Sequence, residues 1–240
     1  TVTTRSLAFV VGAALLRRRG MLTFGTPDAR VIATILRIGL PTAATGVLFS
    51  VVYVVVGRTA SAFGTAALAA LGLGFRVESW LYMLGVGFGA AAAAVVGQNL
   101  GARRVDRAER AGWAMLGTAT VPAVFAAAAS LLVPEAMAGV FTSDAGVIAE
   151  TARYLRIAAV SQLVVCAEVV LEGALGGAGA TVAPMVASTT FTVARIPLAT
   201  WAGAAFGPIG LWWVISATAP LRGLAMMALW RTGRWTRNVV

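Results

Sequence analysis

The sequence has no histidine and no lysine: all 19 basic residues are arginines, set against 9 acidic ones. Losing histidine removes the commonest general base and the commonest metal ligand together. Cysteine occurs once, as Cys166 inside an apolar run. No intramolecular disulfide can form, and no metal-ligand spacing of Cys and His exists. Charge itself is scarce, at 12% of residues, where a soluble domain carries about 25%. Hydrophobic residues make up 59% of the 240, and the mean hydropathy is +0.86. This composition describes a membrane protein of several spans.

The net charge of +10 and a pI near 11.6 would suggest nucleic acid in a soluble chain. Here the arginines cluster at the ends of apolar segments, which is the positive-inside pattern. The expected partner of that charge is the lipid bilayer, and no nucleic acid is expected.

The apolar runs divide the chain. Leu7 to Leu16 is too short to span, because a helix needs ~20 apolar residues. Residues 1–34 read as the end of a truncated transmembrane helix followed by a cytoplasmic linker, broken at Gly25-Thr26-Pro27-Asp28. The cluster Arg17-Arg18-Arg19 follows the apolar run instead of preceding it, which argues against a signal peptide. Residues 35–230 hold six complete spans, near 35–57, 66–96, 111–133, 154–175, 182–205 and 209–230. Residues 231–240 form a basic cytoplasmic tail with Arg231, Arg234 and Arg237. The fold class is all-α, a polytopic transmembrane helix bundle.

Between these spans, Gly97-Gln98-Asn99 reads as a turn at the cytoplasmic mouth. Ser143-Asp144 opens a capped amphipathic helix expected to lie at the surface. Trp201, Trp212, Trp213, Trp230 and Trp235 are expected near membrane interfaces. Arginines 17–19, 30, 37, 103, 104, 107, 110, 231, 234 and 237 fall on one side, and Arg58, Arg153 and Arg156 on the other. The arginine-rich side is the cytoplasm by this rule, which returns the C-terminus there.

Several runs resemble the multidrug and toxic compound extrusion (MATE) transporters. They are Leu36-Arg37-Ile38-Gly39-Leu40-Pro41, Gly64-Thr65-Ala66-Ala67-Leu68-Ala69-Ala70, and Arg76-Val77-Glu78-Ser79 with Gly85, Gly87, Gly89 and Val96-Gly97-Gln98-Asn99-Leu100-Gly101-Ala102. Phe141-Thr142-Ser143-Asp144, Arg153-Tyr154-Leu155-Arg156-Ile157 and Glu172-Gly173-Ala174-Leu175 follow in family order. The likeness covers roughly residues 32–220. It implies that residues 35–230 are the C-terminal six-helix lobe of a twelve-helix transporter, whose N-terminal lobe is missing here. It further implies a multi-pass protein of the cell inner membrane exporting small amphipathic or cationic organic compounds against inward H⁺ or Na⁺, with no cofactor. Two positions at which many members carry an acidic residue hold Phe49 and Val165 in this sequence. The usual arginine and aspartate of the glycine-rich turn are replaced by Gly176 and Ala180.

Three carboxylates lie within spans: Glu78, Glu168 and Glu172. An intramembrane charge is costly and marks a functional site by default. Glu168 and Glu172 are four apart and share a helix face. Glu168 lies twelve residues inside Arg156, or ~18 Å, close to the midplane of a ~30 Å core. Glu172 is deeper towards the cytoplasm. Glu78 precedes Val96 by 18 residues, or ~27 Å, which puts it in the outer half. Arg195 is the fourth candidate for ion coupling or substrate binding; its plainer role is to pair with a carboxylate and hold two helices together. Phe49, Tyr53, Trp80 and Tyr82 are candidates to line a cavity for flat cations.

Gly173–Thr181 has four glycines but no Gly-Lys-Ser/Thr ending, so it is no phosphate loop. An enzyme is not expected, because no metal cluster or activated nucleophile is visible. The alternatives are a lipid-linked oligosaccharide flippase of the same superfamily and a non-transporting membrane scaffold.

Overall fold

In hydrocarbon every amide and carbonyl must pair within the protein, so apolar runs of this length fold as helices. The computed structural model describes residues 2–20 and 28–238. Its helices are α1 (Val2–Arg18), α2 (Ala29–Ser61), α3 (Thr65–Gly101), α4 (Val105–Leu132), α5 (Pro134–Gly139), α6 (Ala145–Gly177) and α7 (Val182–Arg231), closed by a 3-10 turn at Arg234–Asn238. No strand occurs among the described residues.

The chain divides into two units, Thr1–Arg37 and Ile38–Val240. The first holds α1, an exposed helix ending in Arg17 and Arg18, and the opening turns of α2. The Asp28 carboxylate accepts the Arg30 amide at 2.8 Å and satisfies one of the orphan donors at the start of α2. The expected break at Gly25-Thr26-Pro27 lies outside the described residues.

The second unit carries the bundle. Helices α3, α4, α6 and α7 are each long and apolar enough to cross a membrane. At 33 residues α2 also exceeds the ~20 that a span requires. The 50 residues of α7 are two limbs, 182–206 and 208–231, because Gly207 adopts φ +64° and ψ −151°. That backbone region is open essentially to glycine alone. Pro208 then begins the second limb, where a missing amide proton leaves nothing unpaired. A Cβ on Gly210 would collide with the Ala202 carbonyl, so the reversal is tight. Leaving aside α1 and the short α5 and counting both limbs of α7, six long helices stand among the described residues.

Three local expectations need correction. Residues 145–153 are not a separate surface helix; they are the first turns of α6, which runs unbroken to Gly177. Asp144 does cap it, accepting the Val147 amide at 2.9 Å, but Gly146 falls inside the first turn and no proline follows to stop the helix before the span. Gln98 and Asn99 likewise stay helical, and the Asn99 side-chain Nδ2 donates to the Val95 carbonyl at 2.7 Å. The chain turns only at Arg103, which has φ +58°. Finally, Trp212, Trp230 and Trp235 are buried in the protein instead of facing an interface. The Trp212 indole donates to Glu150 at 2.8 Å, and Trp235 stacks on Trp230 with ring centroids 4.1 Å apart. Trp201 and Trp213 are exposed.

Helix α6 is the centre of the bundle, packed on α3, α4, α5 and α7. Its seam with α3 is made of small residues. A Cβ on Gly173 would overlap the backbone of Gly89, and one on Gly177 the backbone of Ala93. A Cβ on Gly97 would lie 3.1 Å from the Gly177 carbonyl oxygen. Small residues at four-residue spacing let two backbones approach in a membrane, where no hydrophobic drive brings helices together. The seam pairs rising numbers with rising numbers, so α3 and α6 run parallel. Helix α6 ends in a Schellman motif: Gly179 (φ +73°) donates to Gly176, and Ala180 to Leu175, both at 2.9 Å.

Candidate functional site

Two apolar clusters fill the bundle. One gathers Val52, Val56, Leu71, Leu155, Leu211 and Trp212; the other gathers Val96, Leu100, Val170, Leu171, Met226 and Trp230. On α6 and on both limbs of α7 a set of buried polar residues falls between these clusters. Helix α6 places Ser161 and Gln162 there, the first limb of α7 places Thr192 and Arg195, and the second limb places Thr218 and Arg222. This polar layer opens on a cavity of about 910 Å³. Ligand pockets of drug size run to ~300–1,000 Å³ and are mostly apolar with a few placed polar groups.

Three carboxylates reach the cavity wall: Glu78 from α3, and Glu168 and Glu172 from α6. Glu168 is buried, at 6% exposure, and pairs with Arg222 across 3.2 Å. Glu78 is half-buried and accepts the Tyr154 hydroxyl at 3.0 Å. Tyr154 sits near the start of α6, so this bond sets Glu78 towards the Arg153–Arg156 end of the bundle. A Cβ on Gly74 would strike the Tyr154 ring, which fixes the phenol against α3. Glu172 faces the same cavity one turn beyond Glu168.

Arg195 also lines the cavity, at 3% exposure. Its Nε donates to the Thr218 hydroxyl at 2.9 Å, and one terminal nitrogen to the Ile215 carbonyl at 3.5 Å. Among the described residues it makes no ion pair within 4.0 Å. The expectation that it pairs with a carboxylate is therefore corrected: the pairing arginine is Arg222, and Arg195 joins the two limbs of α7 through a hydroxyl and a carbonyl.

Phe49, Tyr53 and Tyr82 line the cavity, and Phe75 joins them. Phe49 lies 4.5 Å from Tyr53 between centroids, and Tyr53 lies 4.1 Å from Phe75. Trp80 does not belong to this set. It is 74% exposed and points away from the bundle, because a residue two positions from Glu78 lies on another face of the same helix. Phe49 and Val165 both line the cavity.

Arg222 was missed in the sequence. It sits as Pro220-Leu221-Arg222-Gly223 within the last apolar run, and an arginine so placed was itself the signal. The hydroxyl-bearing residues Ser161, Thr192 and Thr218 carry no comparable signal.

The family comparison decides the class. The MatE family model matches residues 41–201, more than half of the chain. The chain belongs to the MATE family. It is 30% identical over 232 residues to the multidrug resistance protein NorM of Burkholderia vietnamiensis, covering 93% of this chain and 50% of that protein. It is 32% identical over 205 residues to a probable multidrug resistance protein NorM of Deinococcus radiodurans, covering 81% and 45%. The chain thus spans about half the length of the curated relatives it matches. Among solved structures, a MATE protein in the straight conformation superposes with a TM-score of 0.86 at 18% identity, over 98% of this chain and 54% of that one. A MOP superfamily transporter from Pyrococcus furiosus superposes with a TM-score of 0.74 at 19% identity, over 80% and 43%. These likenesses show the MATE fold.

Proposed function

We propose that the chain is one lobe of a secondary active antiporter that exports organic cations in exchange for H⁺ or Na⁺. The observation that carries this reading is the convergence of Glu78, Glu168 and Glu172 on one aromatic-walled cavity within the bundle. Carboxylates within a membrane either bind a cation or take up a proton, and both are ways to couple an ion gradient to a conformational cycle. Aromatic faces such as Phe49 and Tyr53 attract organic cations. The NorM relatives are named as multidrug resistance proteins, which supports the same substrate class. Val165, Glu168 and Glu172 share a face of α6, and all three line the cavity. A second lobe completes the cavity, the protein resides in the cell inner membrane, and its C-terminus faces the cytoplasm.

A second reading draws on Arg195 and Arg222, which give the wall a basic component. A flippase for lipid-linked oligosaccharide needs a cationic cavity for its phosphates. Three carboxylates against two arginines favour the cation exporter.

The test uses the two-lobe transporter carrying this lobe, expressed in cells stripped of other efflux pumps. Preloaded ethidium is expected to leave faster than from vector-only cells. A protonophore should abolish the difference if H⁺ drives export, and replacing Na⁺ with choline should abolish it if Na⁺ does. Efflux that survives both treatments together contradicts antiport. Residues 1–240 reconstituted alone are expected to transport nothing.

A further inference from the structure

The ion pair between Glu168 and Arg222 places a cation inside the site that the previous reading reserves for cations. The Arg222 guanidinium carbon stands 5.9 Å from the centre of the Phe49 ring, over its face. One of its terminal nitrogens is 3.2 Å from Glu168 and 3.5 Å from the Thr192 hydroxyl. A carboxylate and an aromatic face, on α6 and α2, are the two elements that recognise an organic cation in an apolar cavity. Both are taken up by a side chain of the second limb of α7.

The guanidinium is held in this seat by one arm of its fork. A buried arginine with a good carboxylate partner forms a fork of two parallel hydrogen bonds. Here a single terminal nitrogen faces Glu168, and the buried Nε has no partner among the described residues. The backbone beside it is, by contrast, tightly fixed: a Cβ on Gly223 would collide with Val164 of α6. The limb is anchored while the long side chain carries a donor that is unpaired among the described residues.

We propose that Arg222 is a tethered competitor for the Glu168–Phe49 cation subsite, which a cationic substrate must displace. This rests on the reading of the cavity as the substrate site. The apparent affinity for a cation is then the intrinsic affinity reduced by the fraction of time that Arg222 leaves the subsite free. Arg222 thereby tunes affinity downwards, and it favours ligands large enough to replace both the ion pair and the ring contact.

Equilibrium binding of tetraphenylphosphonium to the purified two-lobe transporter tests this directly. Arg222→Gln is expected to bind the probe about tenfold more tightly than the parent, the change that follows if Arg222 occupies the subsite about nine-tenths of the time. Arg222→Lys keeps a positive charge beside Glu168 and so protects the fold; its smaller ammonium should give a gain of a few-fold. Phe49→Ala should weaken binding more in the Arg222→Gln background than in the parent, since only there is the ring free. A purely structural Arg222 would give unchanged or weaker binding in both variants, and that result overturns the inference while leaving the exporter reading intact. Absence of saturable binding in the parent and in every variant removes the cation site itself, and with it both readings.

Discussion

Replacing Glu168 by glutamine is expected to lower stability by about 3–5 kcal/mol, because it strands a buried arginine. Arg222 is 9% exposed, and Glu168 is its ion-pair partner among the described residues. A guanidinium cannot shed its proton, so it has no neutral form to fall back on. The reverse substitution is milder: a carboxylate freed of Arg222 can take up a proton and become neutral. Arg222→Gln should therefore unfold at a higher temperature than Glu168→Gln. The double variant Glu168→Gln/Arg222→Gln should recover to within about 1–2 kcal/mol of the parent, since replacing a whole buried pair is often nearly neutral. Thermal unfolding in detergent measures this; for Glu168→Gln the midpoint should fall by on the order of 10 °C. A double variant no more stable than Glu168→Gln would mean that the pair is not what holds Arg222 in the bundle.

Gly173→Val is expected to prevent assembly of the lobe. A side chain there would fall on the backbone of Gly89, and backbone cannot rotate away as a side chain can. Overpacking of cores costs about 1–3 kcal/mol and occasionally more; with backbone as the obstacle we expect about 3 kcal/mol or more. The consequence reaches the site, because the same seam positions Glu78 on α3 against Tyr154 on α6. Gly87→Ala is the control. It lies two residues from Gly89, and a Cβ there meets nothing within 4 Å. It should be neutral or stabilising by up to ~1 kcal/mol through helix propensity. The monodisperse peak in size-exclusion chromatography reports both. Equal loss in the two variants would show that glycine at large, and not the α3–α6 contact, matters.

How much of this was legible in the sequence depended on whether the information was local. The all-helical bundle followed from hydropathy, because a span needs only enough apolar residues in a row. The shared face of Glu168 and Glu172 followed from their spacing of four. Trp80 failed by the same rule. Phe75, Glu78 and Tyr82 fall at i, i+3 and i+7 and face the cavity together, while Trp80 falls between them. Helical phase, applied strictly, would have set it aside. Helix ends were harder to read: Gln98 and Asn99 are common in turns, yet the helix propagates through them until Arg103. The identity of the pairing arginine was out of reach. Arg195 and Arg222 are both lone arginines in apolar runs, and only the packing of α7 against α6 decides which one meets Glu168. The buried tryptophans repeat the lesson, since Trp212 finds Glu150 across 62 residues of chain.

The central claim is that the carboxylates lining the cavity couple ion movement to export. Glu78 and Glu172 test it most cleanly, since neither holds an arginine in an ion pair among the described residues, and glutamine at 78 can still accept from Tyr154. The measurement is the initial rate of ethidium efflux from cells expressing the two-lobe transporter, for the parent, Glu78→Gln and Glu172→Gln at matched membrane abundance. At least one of the two substitutions is expected to reduce ion-driven efflux to the vector-only rate. Parental rates in both would contradict it.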